Sequence, residues 1–397
     1  MAHPNRSGAS PRAACPQELI EHILGKTDSA DKETLQACAL VARSFRPASQ
    51  KLIFSDLTIP SSGRDSIIAL QRLADVLSAS PHLALYIRAL HLVQPGFYEL
   101  CAWMRSNILP AVLSVFTRLE SLHIRLYNWD YLHSKCEQAI YALITRSSLS
   151  SIEIKEARFQ TNARLLSLLR CLPASLESAS FLNVFSENSS RDDPNSASAE
   201  LRLTSLHLDT YAPALFHWAI RTVDLNCLRH LHTMVEDNTI DVVQELLDGA
   251  VYVETYHLSF GSIYSHDESP VLEKMQGLKT LEISVSLGWD EIEVEGQDRH
   301  NPLNDAMRAL DTAPHTVEHF VLNLNIWNPD QLFHFMGSAS FEHLEHRSTL
   351  RDVVVRIVFR HDCSPALQHG IRYVEEVFCQ LYKRGMLTVV AVRSEDN

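Results

Sequence analysis

The chain has 397 residues, 35 Lys plus Arg against 48 Asp plus Glu, a net charge of −13 and 46% hydrophobic residues. The acidic balance excludes a binder of nucleic acid or of an anionic membrane surface, because there is no surplus of basic groups to neutralise phosphates. The hydrophobic content supplies a large core and excludes a disordered chain.

Residues 1–14 are small and polar and read as a disordered tail. They contain no apolar signal region, and none of the eight cysteines forms a CxxC pair. Together these predict reduced core thiols and a cytoplasmic and/or nuclear protein. No stretch approaches the ~18 uninterrupted apolar residues of a membrane span, so a soluble protein is expected.

Residues 15–58 read as three short helices. In the first, Pro16 sits in the opening turn, Leu19, Ile20, Ile23 and Leu24 share one face, and Gly25 ends it. The second runs through Glu33–Arg43 with apolar positions at 35, 38, 41 and 42, and Leu40 and Phe45 beside them. Pro47 opens the third, which ends near Leu52-Ile53-Phe54. A module this small carries more apolar face than it can hide, so the surplus must meet the rest of the chain or a partner.

The series Pro-x-Glu-Leu-Ile-x-x-Ile-Leu, then Leu-x-x-Cys-x-Leu-Val-x-Arg-Ser-Phe, then a basic helix ending Leu-Ile-Phe, resembles an F-box of the divergent fungal kind. Two positions depart from the family pattern: Cys15 stands where Leu is usual, and Phe45 where Trp is usual. The resemblance implies binding to the adaptor subunit of a cullin–RING ubiquitin ligase through Pro16, Glu18, Leu19, Ile23, Leu24, Leu40, Val41 and Phe45. The alternative reading is an ordinary helical cap on the repeats that follow.

Residues 59–393 carry a recurring phrase, apolar-x-x-apolar-x-apolar, beginning at 87, 119, 149, 176, 203, 228, 253, 278, 317 and 350, with a last candidate at 387. Four consecutive starts from 203 to 278 are 25 residues apart. A single phrase is common by chance; the period carries the signal, and it resembles that of leucine-rich repeats. Each phrase alternates like a strand. Helix-length amphipathic stretches lie at 131–145, 162–172, 212–222, 239–249, 302–312, 329–337 and 366–384. The expected fold is therefore α/β: the three-helix module, then an irregular leucine-rich-repeat-like solenoid of one parallel sheet plus helices. The Asn typical of such repeats appears only as Asn325, so most units must make their bend differently. Polar insertions are expected at 186–200 and 288–301, the second acidic.

Catalytic strings fail on geometry. His315-Thr316-Val317-Glu318-His319 matches a zinc-protease string but runs into the alternating Phe320–Leu324. Residues four apart on a strand are about 13 Å apart, too far to share one zinc. No metal, cofactor or enzymatic activity is expected. A sharper pattern lies between the second and third apolar positions of each phrase. His91, His123, Glu153, Ser180, His207, His232, His257, Glu282, Val321 and Val354 should all point to the concave face of the sheet. Five of these ten are histidine. The functional reading is a binding surface in which His91, His123, His207, His232 and His257 meet a protein substrate; the alternative is imidazole packing. If the row binds substrate, affinity should change between about pH 7.5 and 5.5, around the ordinary histidine pKa of ~6.5. Taken together, the sequence predicts a substrate-recognition subunit bridging the adaptor and a protein substrate. The rival is a repeat scaffold without ligase association.

Overall fold

The recurring phrases become strands because their second and third apolar residues fall on one side of a pleated backbone. The computed structural model has thirteen strands among the described residues: β1 (Asp56–Ile59), β2 (Ala89–Val93), β3 (Ser121–Arg125), β4 (Ser151–Lys155), β5 (Arg158–Phe159), β6 (Ser178–Ser186), β7 (Ser205–Thr210), β8 (His230–Val235), β9 (Thr255–Phe260), β10 (Thr280–Leu287), β11 (His319–Ile326), β12 (Asp352–Phe359) and β13 (Leu387–Arg393). β1 and β5 lie outside the expected phrases, and in β13 Leu387 and Val389, not Val390 and Val392, stand level with the inner residues Val353 and Val355. The structure describes residues 17–393 except 25, 27–30, 42, 60–64, 95, 97–100, 147, 187–200, 237, 261–268, 288–300, 327–328, 340, 342–343, 345 and 360–363.

Twelve strands lie side by side in chain order, β1 to β13, and the two-residue β5 pairs with β6 beside that path. Every pairing is parallel. Each strand thus neighbours the next unit in sequence, which is the solenoid-like α/β plan expected. Helices fill most crossovers: Asp65–Ala79, Ile108–Ser114, Ser134–Arg146, Asn162–Leu169, Pro213–Thr222, Ile240–Gly249, Pro302–Thr312, Pro329–Ser338, Ser364–Val377 and Cys379–Lys383. The first two of these lie where no helix was expected. The described part of the β9–β10 crossover holds turns instead.

One continuous core joins the units. The row Leu90, Leu122, Ile152, Ala179, Leu206, Leu231, Tyr256, Leu281, Phe320 and Val353 is buried, and it packs with residues of the returning helices such as Leu113, Ile140, Leu165, Phe216 and Leu246. The leading residue of each of the ten phrases, Ile87 through Leu350, is buried as well. At the strand entrances, two successive N–H groups donate to one carbonyl of the preceding unit. Glu120 and Ser121 donate to Arg88, Glu177 and Ser178 to Ser150, and Glu254 and Thr255 to Arg229.

One unit replaces an apolar position by Thr233. Its Oγ1 lies 2.7 Å from the Tyr256 hydroxyl, and both residues are fully buried. Burial pushes the Tyr256 phenol up, holding it neutral. Thr233→Val keeps the shape and strands that phenol without its partner. Stability should fall by about 1–3 kcal/mol in a denaturant titration. An unchanged midpoint would show that the pair contributes nothing.

At the N-terminus α1 (Gln17–Leu24), α2 (Lys32–Val41) and α3 (Arg46–Ile53) enclose a separate small core of Ile20, Leu24, Leu35 and Ala48. α3 packs against both other helices and against the turn Pro81–Tyr86 that leads into β2. β1 lies across the boundary expected at 58: Leu57 sits level with Leu90 and Ile59 with Leu92, so the sheet begins inside the stretch assigned to the module. The tail 1–14 and most of both expected insertions lie outside the described residues. Of the insertions, Ser186 ends β6, and Asn301 caps the helix Pro302–Thr312 by accepting from the Leu303 N–H. No helix among the described residues is long and apolar enough to cross a membrane.

Candidate functional site

Two groups of residues stand out, and the first lies on the helical module. A four-residue step places Ile20 and Leu24 on the inner ridge of α1 and Leu19 and Ile23 on the neighbouring ridge. Ile20 and Leu24 are buried, whereas Leu19 and Ile23 are 48% and 49% exposed. Leu40 and Val41, at the end of α2, are 81% and 82% exposed. Glu18 is exposed in the first turn of α1. Pro16 lies outside the described residues. Leu24 is the correction here: it belongs to the module's own core and has no face left for a partner. Phe45 is half-buried against that same core.

The second group is the row on the outward face of the sheet. Strand pairing sets His91 level with His123, His123 with Glu153, Glu153 with Ser180, and Ser180 with His207. It continues through His232, His257, Glu282, Val321 and Val354. The imidazoles stack where histidines are adjacent. His91 and His123 have ring centroids 4.4 Å apart, His207 and His232 3.7 Å, and His232 and His257 3.8 Å.

The sequence reading missed the groups that hold these rings. His232 Nε2 meets Ser259 Oγ at 2.9 Å, and His257 Nε2 meets Ser284 Oγ at 2.6 Å. In both, the serine stands two residues beyond the level position on the next strand. By the same rule His207 would meet residue 234, which is Met234. Its Nε2 is enclosed with no hydrogen-bond partner among the described residues, as is the neighbouring Ser180 Oγ. Beyond His257 the row turns ionic. Glu282 accepts from Asn323 Nδ2 at 2.6 Å and from Arg356 at 3.2 Å. At the other end His123 faces Glu153 at 3.8 Å and Ser121 Oγ at 2.8 Å, and His91 faces Asp56 at 3.2 Å.

Burial governs the charge of the central row. It lowers the His207 pKa to about 4, helped by repulsion from His257. It lowers those of His232 and His257 in the same way, with His257 and His207 repelling a charge on His232, and Arg356 opposing and Glu282 favouring one on His257. Hydrogen bonding to His123 is the main cause that lowers the Glu153 pKa. For His207, His232 and His257 proton uptake is therefore displaced below the window near pH 6.5.

His319 lies in β11, with its Nδ1 against the Asp352 carboxylate, while Glu318 pairs with Arg351 at 3.0 Å. The zinc-protease string thus runs into a strand, as its alternation predicted. No group of three or more metal-ligating side chains gathers among the described residues. No protein-family model matches the chain. No curated protein matches it either.

Proposed function

We propose that the chain is the substrate-recognition subunit of a cullin–RING ubiquitin ligase, with α1–α3 as its F-box. The observation that carries this reading is the pair Leu40 and Val41, about four-fifths exposed on a module whose own core is complete without them. Leaving two adjacent aliphatic side chains in water is unfavourable by roughly 25 cal/mol per Å² of apolar surface, a cost that a partner's apolar groove removes. Leu19 and Ile23 add apolar surface on α1. The leucine-rich-repeat-like sheet then serves as the second surface, which holds a protein substrate. The work of such a chain is proximity: it raises the effective concentration of substrate at the ligase and performs no chemistry itself. Its place of action would be the cytoplasm, the nucleus or both.

A second reading is a repeat scaffold without ligase association. Leu24 and the half-buried Phe45 favour it, because both are engaged in the module's own core. Co-purification separates the two. The full chain retains the purified adaptor subunit on a column if the first reading holds, and a chain that folds but passes the adaptor through establishes the second.

A further inference from the structure

The seven-residue strand β13 ends the described sheet. It pairs with β12 on one side, and no other described strand lies on its second side. Natural edges are blunted by charge, proline or a bulge. Of its seven residues only the last, Arg393, is charged and none is proline, and its register with β12 runs without a break. Its inner row, Leu387, Val389 and Ala391, packs on the core yet stays partly exposed. On the outward row Thr388 is exposed, and Val390 and Val392 are 39% and 41% exposed. The opposite margin is different. β1 has four residues and opens on Asp56, which faces His91, and Ile59 is fully buried.

We propose that β13 pairs with β13 of a second copy of this chain, antiparallel across a two-fold axis, to give a dimer with one continuous sheet. The strand is complementary to itself in that direction. Pairing centred on Val390 sets Val390 opposite Val390, Thr388 opposite Val392, and Val389 opposite Ala391. The outward row is then β-branched throughout, a favourable cross-strand set, and no like charges meet. Symmetry selects the direction. A two-fold axis normal to the sheet makes the strands antiparallel and keeps outward row beside outward row, whereas parallel pairing of the same two edges needs an axis along the strand and sets the outward row of one copy on the core side of the other. Head-to-tail pairing of β13 with β1 is the competing geometry. It leaves three of seven strand residues unpaired and propagates as an open fibre instead of closing.

Sedimentation of the full chain over a wide concentration range tests this. The mass should rise from one chain of 44.9 kDa to twice that value and stop there. Val390→Lys together with Val392→Lys sets ammonium groups against each other across the axis and should hold the protein at single-chain mass with an unchanged circular dichroism spectrum. Because that pair could unfold the last unit, Val390→Cys gives an independent measurement. Oxidation should link two copies through residue 390 to a greater extent than the native cysteines do, whereas cysteine at the exposed Tyr382 should not. A wild-type chain that stays single, a mass that grows beyond two, a dimer indifferent to the lysine pair, or no added cross-linking at residue 390 would each overturn the proposal.

Discussion

If α1–α3 act as an F-box, Leu19→Asp combined with Val41→Asp should abolish capture of the adaptor subunit and leave the repeat array folded. Both side chains are exposed, at 48% and 82%, so neither is needed to fill the module's core of Ile20, Leu24, Leu35 and Ala48. Surface substitutions of this kind usually change stability by less than about 0.5 kcal/mol. At an interface the same change removes a buried aliphatic contact and brings in a desolvated carboxylate. Two such positions, at ~2 kcal/mol or more each, cost at least about 4 kcal/mol, roughly a thousandfold in Kd. Leu24→Ala should behave differently. It opens a cavity in a four-residue core and should destabilise the module by about 2–5 kcal/mol. The measurements are adaptor retention beside circular dichroism. A double variant that still retains adaptor would remove the F-box assignment of this face; one that loses its fold would show that the exposed ridge has a structural role.

Acidification should weaken the array through its histidine row. The pKa of His207 is lowered to about 4, and those of His232 and His257 are lowered too. An unfolded chain therefore takes up protons near pH 6.5 that the folded row refuses. The stability held by the neutral row is complete above about pH 6.5 and drains away as pH falls toward 4. For His207 alone the loss at pH 5 is about 2 kcal/mol, and stacked neighbours that repel each other's charge add to it. Glu153 and Glu282 soften the effect because they favour a charged row, and Arg356 opposes them; Lys155 is set near the half-buried carboxyl of Asp209 on the same face. Carboxylates held low by partners, such as Glu137 beside Arg164, act only at still lower pH. The triple variant His207→Gln, His232→Gln and His257→Gln should lose much of the drop in melting temperature between pH 7 and 5. Parallel melting-temperature profiles for wild type and variant would show that these rings stay solvated and that their stacking does not control their charge.

The sheet was readable because its information is local and periodic. From Leu203 to Leu278 each unit repeats the same three buried positions at one spacing, and burial of all three forces a strand. The outward row came from alternation alone, and pairing set its ten members level. β1 was missed although Phe54-Ser55-Asp56-Leu57-Thr58-Ile59 carries the same phrase, because it follows the third helix without a break. The helix Asp65–Ala79 was missed for another reason. Apolar residues lie on more than one side of it, and Ile67, Ile68 and Val76 remain exposed, so its period is blurred. At the candidate sites, spacing showed which residues are apolar but not which ridge turns inward. Leu19 and Leu24 both fall in the apolar set of α1, and only packing separates them: Leu24 joins Leu35 and Ala48 in the core and Leu19 does not. The serine partners of the row needed a rule that links two strands, which no single phrase contains.

The division of the molecule into a four-residue core and a continuous one sets how it breathes. Opening α1–α3 breaks few buried contacts and leaves the sheet closed, so backbone amides there should exchange with deuterium long before those of β7 to β12. A bound adaptor would slow that exchange in proportion to its concentration over its dissociation constant, without touching the rates in the sheet.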